Sequence, residues 1–346
     1  MNGEAGRLKV AILSFAHTHA LSYARLLAAR DDIELVASDP NGREAPDAAA
    51  RGAALAADFG VRYLESYDDV FAWGPDAVIV TAENARHREL VERAAAAGAH
   101  ILCEKPLATT LEDGQAMLAA VEAARVRLMI AYPVRFSPSF VDARARVRSG
   151  QLGAVLGILG TNNGKIPLAD RAWFTDQELA GGGALVDHVV HCADLLDELL
   201  GEPAASVRAV SNRILHASRA VAVETGGLVT LRYPSGVIAT IDCSWSVPDS
   251  APTWGGLTLQ IVGTKGIVTI APFAQHVSGY DATGPVFASV SDDLDAAMLD
   301  TFLAAVRDNT HPQPDGAVGM RTLQIVDAAR RSAVTGQPVS LGRAMP

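Results

Sequence analysis

Cysteine is scarce in this chain. Its 346 residues include three, Cys103, Cys192 and Cys243, and none stands in a Cys-x-x-Cys pair. An odd count at wide spacing argues against a disulfide framework and a zinc ribbon, and it points to a reducing cytoplasm. Basic charge is also short: 29 Lys and Arg stand against 39 Asp and Glu, for a net charge of −10. A nucleic-acid surface needs a basic patch, so that class of partner is excluded. No apolar run reaches the ~18 residues of a membrane span. The polar stretch Met1–Arg7 leads into no signal-type apolar segment. Glycine is missing where a dinucleotide-binding loop uses it. The usual fingerprint is G-x-G-x-x-G. After the first apolar run this chain reads Ser14-Phe15-Ala16-His17-Thr18-His19, with Ser14, Ala16 and His19 at the glycine positions.

Hydrophobic residues make up 49% and charged residues 20%, as in an ordinary globular protein. The length exceeds what one core usually serves, which predicts two domains. The first third alternates between strand and helix patterns. Leu8–Phe15, Ile33–Ser38, Ala77–Ala82 and His100–Cys103 read as strands. His19–Arg30, Glu44–Asp58 and Ala85–Ala97 read as helices, the last stopped by Gly98. Thr109 and Glu112 fit a capping box for a helix to about Ala124. The alternation predicts an α/β Rossmann domain over residues 1–125, a doubly wound parallel sheet.

Residues 126–346 read differently. Val207–Leu215, Gly227–Tyr233, Val237–Ser244, Leu257–Val262 and Ile267–Ile270 are strand-like and joined by short turns. Helical patterns precede them (Phe140–Ser149, Ala184–Leu200) and follow them (Leu294–Arg307, Gly319–Val334). This is an α+β domain with a large, open-faced, mainly antiparallel sheet, expected to bind substrate and to mediate oligomerisation. The uncovered face predicts a homodimer or homotetramer.

Two stretches carry chemistry. Glu104-Lys105-Pro106 directly follows the apolar run His100–Cys103. Lys105 therefore sits at the carboxyl end of a parallel strand, where open α/β sheets bind ligands. The other stretch is Gly181-Gly182-Gly183 followed by a helix. On it Asp187, His191, Asp194 and Glu198 share a stripe, while Leu185, Val189, Cys192, Leu196 and Leu199 face away. A solvated polar face would look the same. The glycines, however, admit other atoms close to the backbone. An Asp at i and a His at i+4 can also form an oriented acid–base pair. His188 and His191, with Asp187 and His276, offer a metal alternative. On an ideal helix the two histidines and Asp187 diverge, so no metal is assigned.

At the start of the chain, amides of the 14–19 loop can still cap a pyrophosphate, with Ser14 and Thr18 adding hydroxyls. Asp39 ends the second strand and would accept hydrogen bonds from a ribose, favouring NAD over NADP. A plain turn Asp before Pro40 is the bland alternative.

These motifs together resemble the Gfo/Idh/MocA oxidoreductases, the group of glucose–fructose oxidoreductase and inositol dehydrogenase. Glu104-Lys105-Pro106 is similar to that family's E-K-P motif. Gly181–Gly183 with Asp187, His191 and Asp194 is similar to its G-G-G-x-x-x-D-x-x-x-H-x-x-D helix. Asn84 and His87 resemble its T-P-N-x-x-H loop, with one extra residue and Ala82 at the usual proline. Arg135–Pro138 and Ser149–Gly153 match its approach to the second domain. The resemblance implies a nicotinamide cofactor, NAD with NADP possible. It implies hydride transfer at a secondary hydroxyl of a sugar or cyclitol. It makes Lys105, Asp187 and His191 catalytic, with Asp187 holding the His191 imidazole. Ser14, Phe15, Ala16, His17, Thr18, Asp39, Thr81, Asn84, His87, Glu104 and Lys105 become the cofactor set. Lys165, Arg171, Trp173, His188 and His276 become candidates for substrate contact. Two rivals stay open: a cofactor-poor descendant that binds a sugar or a protein, and an enzyme that recycles a permanently bound NAD.

Overall fold

The computed structural model describes residues 6–44, 51–169, 171–219, 221–281, 284–290 and 292–342. Its first sheet has six parallel strands: β1 (Leu8–Leu13), β2 (Ile33–Ser38), β3 (Arg62–Tyr63), β4 (Ala77–Val80), β5 (His100–Cys103) and β6 (Leu128–Ile130), in the order β3-β2-β1-β4-β5-β6. The order reverses direction at β1, so a crevice opens at the carboxyl ends of β1 and β4. Helices α1 (His19–Ala28), α2 (Gly52–Asp58), α3 (Tyr67–Trp73), α4 (His87–Ala96) and α5 (Leu111–Ala124) connect the strands. The apolar runs seen in the sequence are buried on both faces, as a parallel sheet covered by helices requires. The cap of α5 lies one residue beyond its expected place. Thr110, not Thr109, accepts the Asp113 amide at 3.1 Å and donates to the Asp113 carboxylate at 2.7 Å. The parallel sheet reaches Ile130, just past residue 125.

The chain then passes through α6 (Pro138–Arg148) into a second sheet. This sheet contains β7 (Val155–Gly164) and, after α7 (Gln177–Ala180) and α8 (Ala184–Leu200), strands β8 (Ser206–Asn212), β9 (Gly226–Arg232), β10 (Ile238–Ser244), β11 (Gly255–Gly263) and β12 (Gly266–Ile270). A hairpin of β13 (His276–Asp281) and β14 (Gly284–Ser289) stands apart. Helices α9 (Leu294–Asp308) and α10 (Gly316–Thr335) and strand β15 (Val339–Ser340) complete the described chain. The sheet order is β12-β11-β7-β10-β9-β8-β15, antiparallel except for the β7–β10 pair. Strand β7 is central yet carries no strand-like run, because Gly157, Gly160 and Gly164 interrupt it. Gly160 is needed there: a Cβ would lie 3.3 Å from Cys192 Sγ on α8 and 3.1 Å from Leu259. Leu185, Val189, Cys192, Leu196 and Leu199 of α8 are buried in the core that this sheet shares. The opposite face of the sheet leaves Leu156, Leu159, Val210, Leu228 and Ile238 exposed.

Helix α9 follows the second sheet in sequence but packs on the first. Met298, Leu299, Phe302 and Leu303 are buried with Val10, Ile12, Tyr23, Leu102 and Met129 in one cluster. Among the described residues no helix is long and apolar enough to cross a membrane. The three cysteines are buried thiols.

Candidate active site

A cavity of about 810 Å³ opens where the two sheets meet. Its wall includes Lys105 from the end of β5, Asp187, His188 and His191 from α8, and Thr18 and His19 from the start of α1. Thus the two motifs singled out in the sequence meet in space.

Lys105 is nearly inaccessible, and its ammonium lies 3.0 Å from Asp187 Oδ1. The other carboxylate oxygen, Oδ2, is 3.0 Å from His188 Nε2 and accepts the Trp245 indole N–H at 3.2 Å. Asp187 therefore does not hold His191, as the i, i+4 spacing suggested. It holds Lys105 and His188 instead. His188 Nδ1 faces the Asn162 carbonyl at 2.7 Å, so both its ring nitrogens point at oxygen acceptors. Burial alone would raise the Asp187 carboxyl, but Lys105 and His188 outweigh it and hold it well below its ordinary value. His191 is lowered too, which for an imidazole favours the neutral form. Burial, reinforced by Lys105, holds it well below its ordinary value and so neutral. Its Nδ1 has no hydrogen-bond partner among the described residues.

The rest of the α8 stripe has a different use. Asp194 is fully buried and receives Arg135 Nε at 2.9 Å and Nη2 at 2.8 Å. Arg135 Nη1 reaches Glu198 at 3.0 Å, and Glu198 also pairs with Arg144 and Arg148. This half of the stripe is a structural ion network. The glycine triplet is structural too. A Cβ on Gly183 would lie 2.0 Å from the Glu224 carbonyl oxygen. Through that close approach Glu224 serves the start of α8: its carboxylate accepts the Gly183 amide at 2.8 Å, and its carbonyl accepts the Ala184 amide at 2.9 Å.

The 14–19 loop is turned by Ser14, whose φ of 81° is the left-handed conformation that glycine would supply. Its amides are engaged within the protein: Ser14 N–H on Ser38 O, Ala16 N–H on Ser14 Oγ and His17 N–H on Thr81 O. Ser14, Phe15, Ala16, His17, Asp39, Thr81, Asn84, His87 and Glu104 are all buried, leaving Thr18 and Lys105 of the expected cofactor set on the cavity wall. Asn84 donates to Ala180 O at 2.9 Å, and the His87 ring bridges carbonyls of Ala82 and Pro106, so these two pin loops together. Asp39 is engaged at both oxygens. Arg51 reaches Oδ1 at 2.8 Å and Oδ2 at 3.0 Å, and Ser14 Oγ donates to Oδ1 at 3.0 Å. Arg51 also reaches Glu83 at 3.2 Å.

Among the substrate candidates, Lys165, Arg171 and His188 line the cavity. The Lys165 ammonium is turned to the carbonyls of Asp249 and Ala251, at 3.0 and 2.6 Å. Trp173 is not on the cavity wall. It is buried against Ala16, Phe174 and Ala180, and its indole N–H donates to Ala16 O at 2.9 Å. The side chain of His276 lies outside the described residues. Sequence reasoning passed over His19, Tyr23 and Arg51. His19 Nδ1 lies 3.0 Å from Glu104 Oε1, and Tyr23 donates to the same oxygen at 2.7 Å. The signal for His19 was present, because it stands at a position where helix and strand normally demand glycine.

Comparison with known proteins bears on the same two halves. Residues 20–132 match the family model described as an oxidoreductase family with an NAD-binding Rossmann fold. Residues 140–269 match that of the GFO/IDH/MocA C-terminal domain. The 1,5-anhydro-D-fructose reductase of Ensifer adhaerens is 28% identical over 302 residues, 85% of this chain and 88% of that protein. The inositol 2-dehydrogenase of Rhizobium meliloti (strain 1021) is 29% identical over 277 residues, 77% of this chain and 81% of that protein. Among solved structures, GenD2 from gentamicin A biosynthesis, in complex with NAD, superposes with a TM-score of 0.86 at 26% identity, covering 98% of this chain and 97% of that one.

Proposed function

The chain belongs to the Gfo/Idh/MocA oxidoreductases, and from that premise we propose an NAD(P)-dependent oxidoreductase that moves a hydride between nicotinamide and a secondary hydroxyl of a sugar, cyclitol or close derivative. The observation that carries this reading is the pairing of a fixed ammonium with a neutral imidazole. Lys105 is locked 3.0 Å from Asp187 while His191 lines the same cavity.

The residues fit a dinucleotide in their placement. Ser14 supplies the glycine-like turn after β1, Asp39 stands at the end of β2, and Thr18 and Lys105 border the cavity. Ser14, Thr18, Asp39 and Lys105 would hold it, and it would supply the hydride acceptor. Arg51 is the group a ribose would displace from Asp39. Once displaced, a cation beside the ribose would also suit a 2′-phosphate, so NADP belongs in any test. Lys105 hydrogen-bonds the substrate oxygen and stabilises charge as the proton leaves. Asp187 keeps that ammonium aimed. His191, neutral before reaction, accepts the hydroxyl proton on its ring. The cavity residues Arg171 and His188 contact the remaining hydroxyls. The buried thiols agree with a cytoplasmic home.

Thermal denaturation of cofactor-free protein tests the reading. NAD or NADP at about 100 times its dissociation constant is expected to stabilise the fold by about 2.7 kcal/mol. A panel of sugars and cyclitols should then produce reduced-nicotinamide absorbance with at least one member. No shift with either cofactor at millimolar concentration leaves a sugar- or protein-binding descendant in its place.

For assembly we propose a homodimer or homotetramer through the uncovered sheet face, where Leu159 and Val210 are 51% and 60% exposed. Light scattering on the eluting protein is expected to give a multiple of 36.2 kDa. Val210→Glu should shift it towards the monomer, and a monomeric native protein refutes the assembly.

A further inference from the structure

We propose that His17, His19 and Glu104 form a binding site for one divalent transition-metal ion at the edge of the cavity. One ligand atom from each lies within 4.8 Å of the others. His17 Nε2 is 3.9 Å from Glu104 Oε2, and His19 Nδ1 is 3.0 Å from Glu104 Oε1. Ligands about 2.0–2.2 Å from a common ion stand roughly 3–4 Å apart, so the set is near the spacing a metal requires.

A second observation points into the same space. His17 is completely buried, yet its Nε2 has no hydrogen-bond partner among the described residues. An unsatisfied buried polar atom costs roughly 1–3 kcal/mol, which a protein rarely tolerates without use. Beside it sits the equally buried Glu104 carboxylate. The neighbouring cation, Lys105, is turned to Asp187. Glu104 Oε1 already accepts from Tyr23 and Oε2 from the Lys105 amide at 3.3 Å, so the group an ion between the two would satisfy is the His17 ring nitrogen.

The surroundings are those of a supported site. Tyr23 donates to Glu104 Oε1 and orients the carboxylate, as outer partners of metal ligands do. The His19 amide donates to His17 Nδ1 at 3.2 Å, which leaves the ring hydrogen on Nε2. Coordination through Nε2 moves that hydrogen to Nδ1 and gives up this long bond. Two imidazoles and one carboxylate suit zinc, manganese, iron(II) or cobalt(II) rather than magnesium or calcium. His17 and Glu104 close the inner side. His19 is about one-third exposed and lines the cavity, so the open coordination positions face the substrate space. The ion would take water or a substrate hydroxyl there. The site does not rest on the hydride-transfer reading.

The test uses chelator-treated full-length protein titrated with Co²⁺ and, separately, Zn²⁺. The expected result is one ion per chain by calorimetry, with visible Co²⁺ absorption bands that Zn²⁺ abolishes. His19→Ala, at a partly exposed position, keeps the fold and should weaken binding by more than the 10–100-fold that loss of an outer partner costs. His17→Ala should do the same, and circular dichroism shows whether it folds. His311→Ala, at an exposed histidine remote in sequence from the loop, should change nothing. Absence of binding by folded wild-type protein overturns the proposal. So does binding that His19→Ala leaves at full affinity.

Discussion

Lys105→Met is expected to lower kcat/KM about 10²–10³-fold, the loss typical of removing one preorganised donor from developing negative charge. The protein should stay folded, because Asp187 keeps His188 and Trp245 as partners. Asp187→Asn should produce a loss of similar direction by a different route. It leaves the ammonium in place but takes away the charge that aims it. Lys105→Arg should not rescue activity, since the side chain is buried and the larger planar guanidinium does not fit the space of an ammonium. Steady-state kinetics on the best substrate of the panel decides this. A Lys105→Met enzyme with unchanged kcat/KM removes the lysine from the mechanism.

Arg135→Ala carries the largest expected effect on stability, about 3–5 kcal/mol, because it strands a buried carboxylate. Burial pushes Asp194 up to about 6 even with Arg135 beside it. The sign of the pH dependence follows. In the folded state this carboxyl is charged only above about pH 6. The ordinary value in an unfolded chain is about 3.9. Removing Arg135 pushes the folded value higher still. The penalty is therefore fullest well above pH 6, and it shrinks as the pH falls and Asp194 becomes protonated. Urea midpoints at pH 8 and pH 5 measure the difference. Arg135→Met combined with Asp194→Leu should regain much of the loss, since replacing both members leaves no buried unpaired charge. Equal losses at both pH values refute the account.

Most of the architecture was legible in the chain because parallel strands and amphipathic helices leave strong apolar periods. The Ala184–Leu200 helix could be read to its ends, with Gly201 at φ 67° closing it. Strand β7 could not be read, since its inward positions include glycines chosen for close packing rather than for strand preference. The site was half legible. A strand end placed Lys105, and a helical period placed Asp187 and His191. Which histidine the carboxylate meets depends on β7 and Trp245, which reach α8 from distant sequence. The fate of Asp39 was hidden for the same reason, as Arg51 returns to it from the residue just before α2. Trp173 was a candidate for substrate contact, and only tertiary packing showed it to be a floor beneath the 14–19 loop.

The placement of α9 has a consequence for how the chain is made. Val10 and Ile12 share their core with Met298 and Phe302, nearly three hundred residues later in synthesis. A nascent chain leaving the ribosome cannot complete its first domain when that stretch emerges. One wall of the domain is still unmade until Leu294–Asp308 is in production. The early parallel sheet must wait with an apolar flank open, which is the state that chaperones hold and that aggregates when they do not.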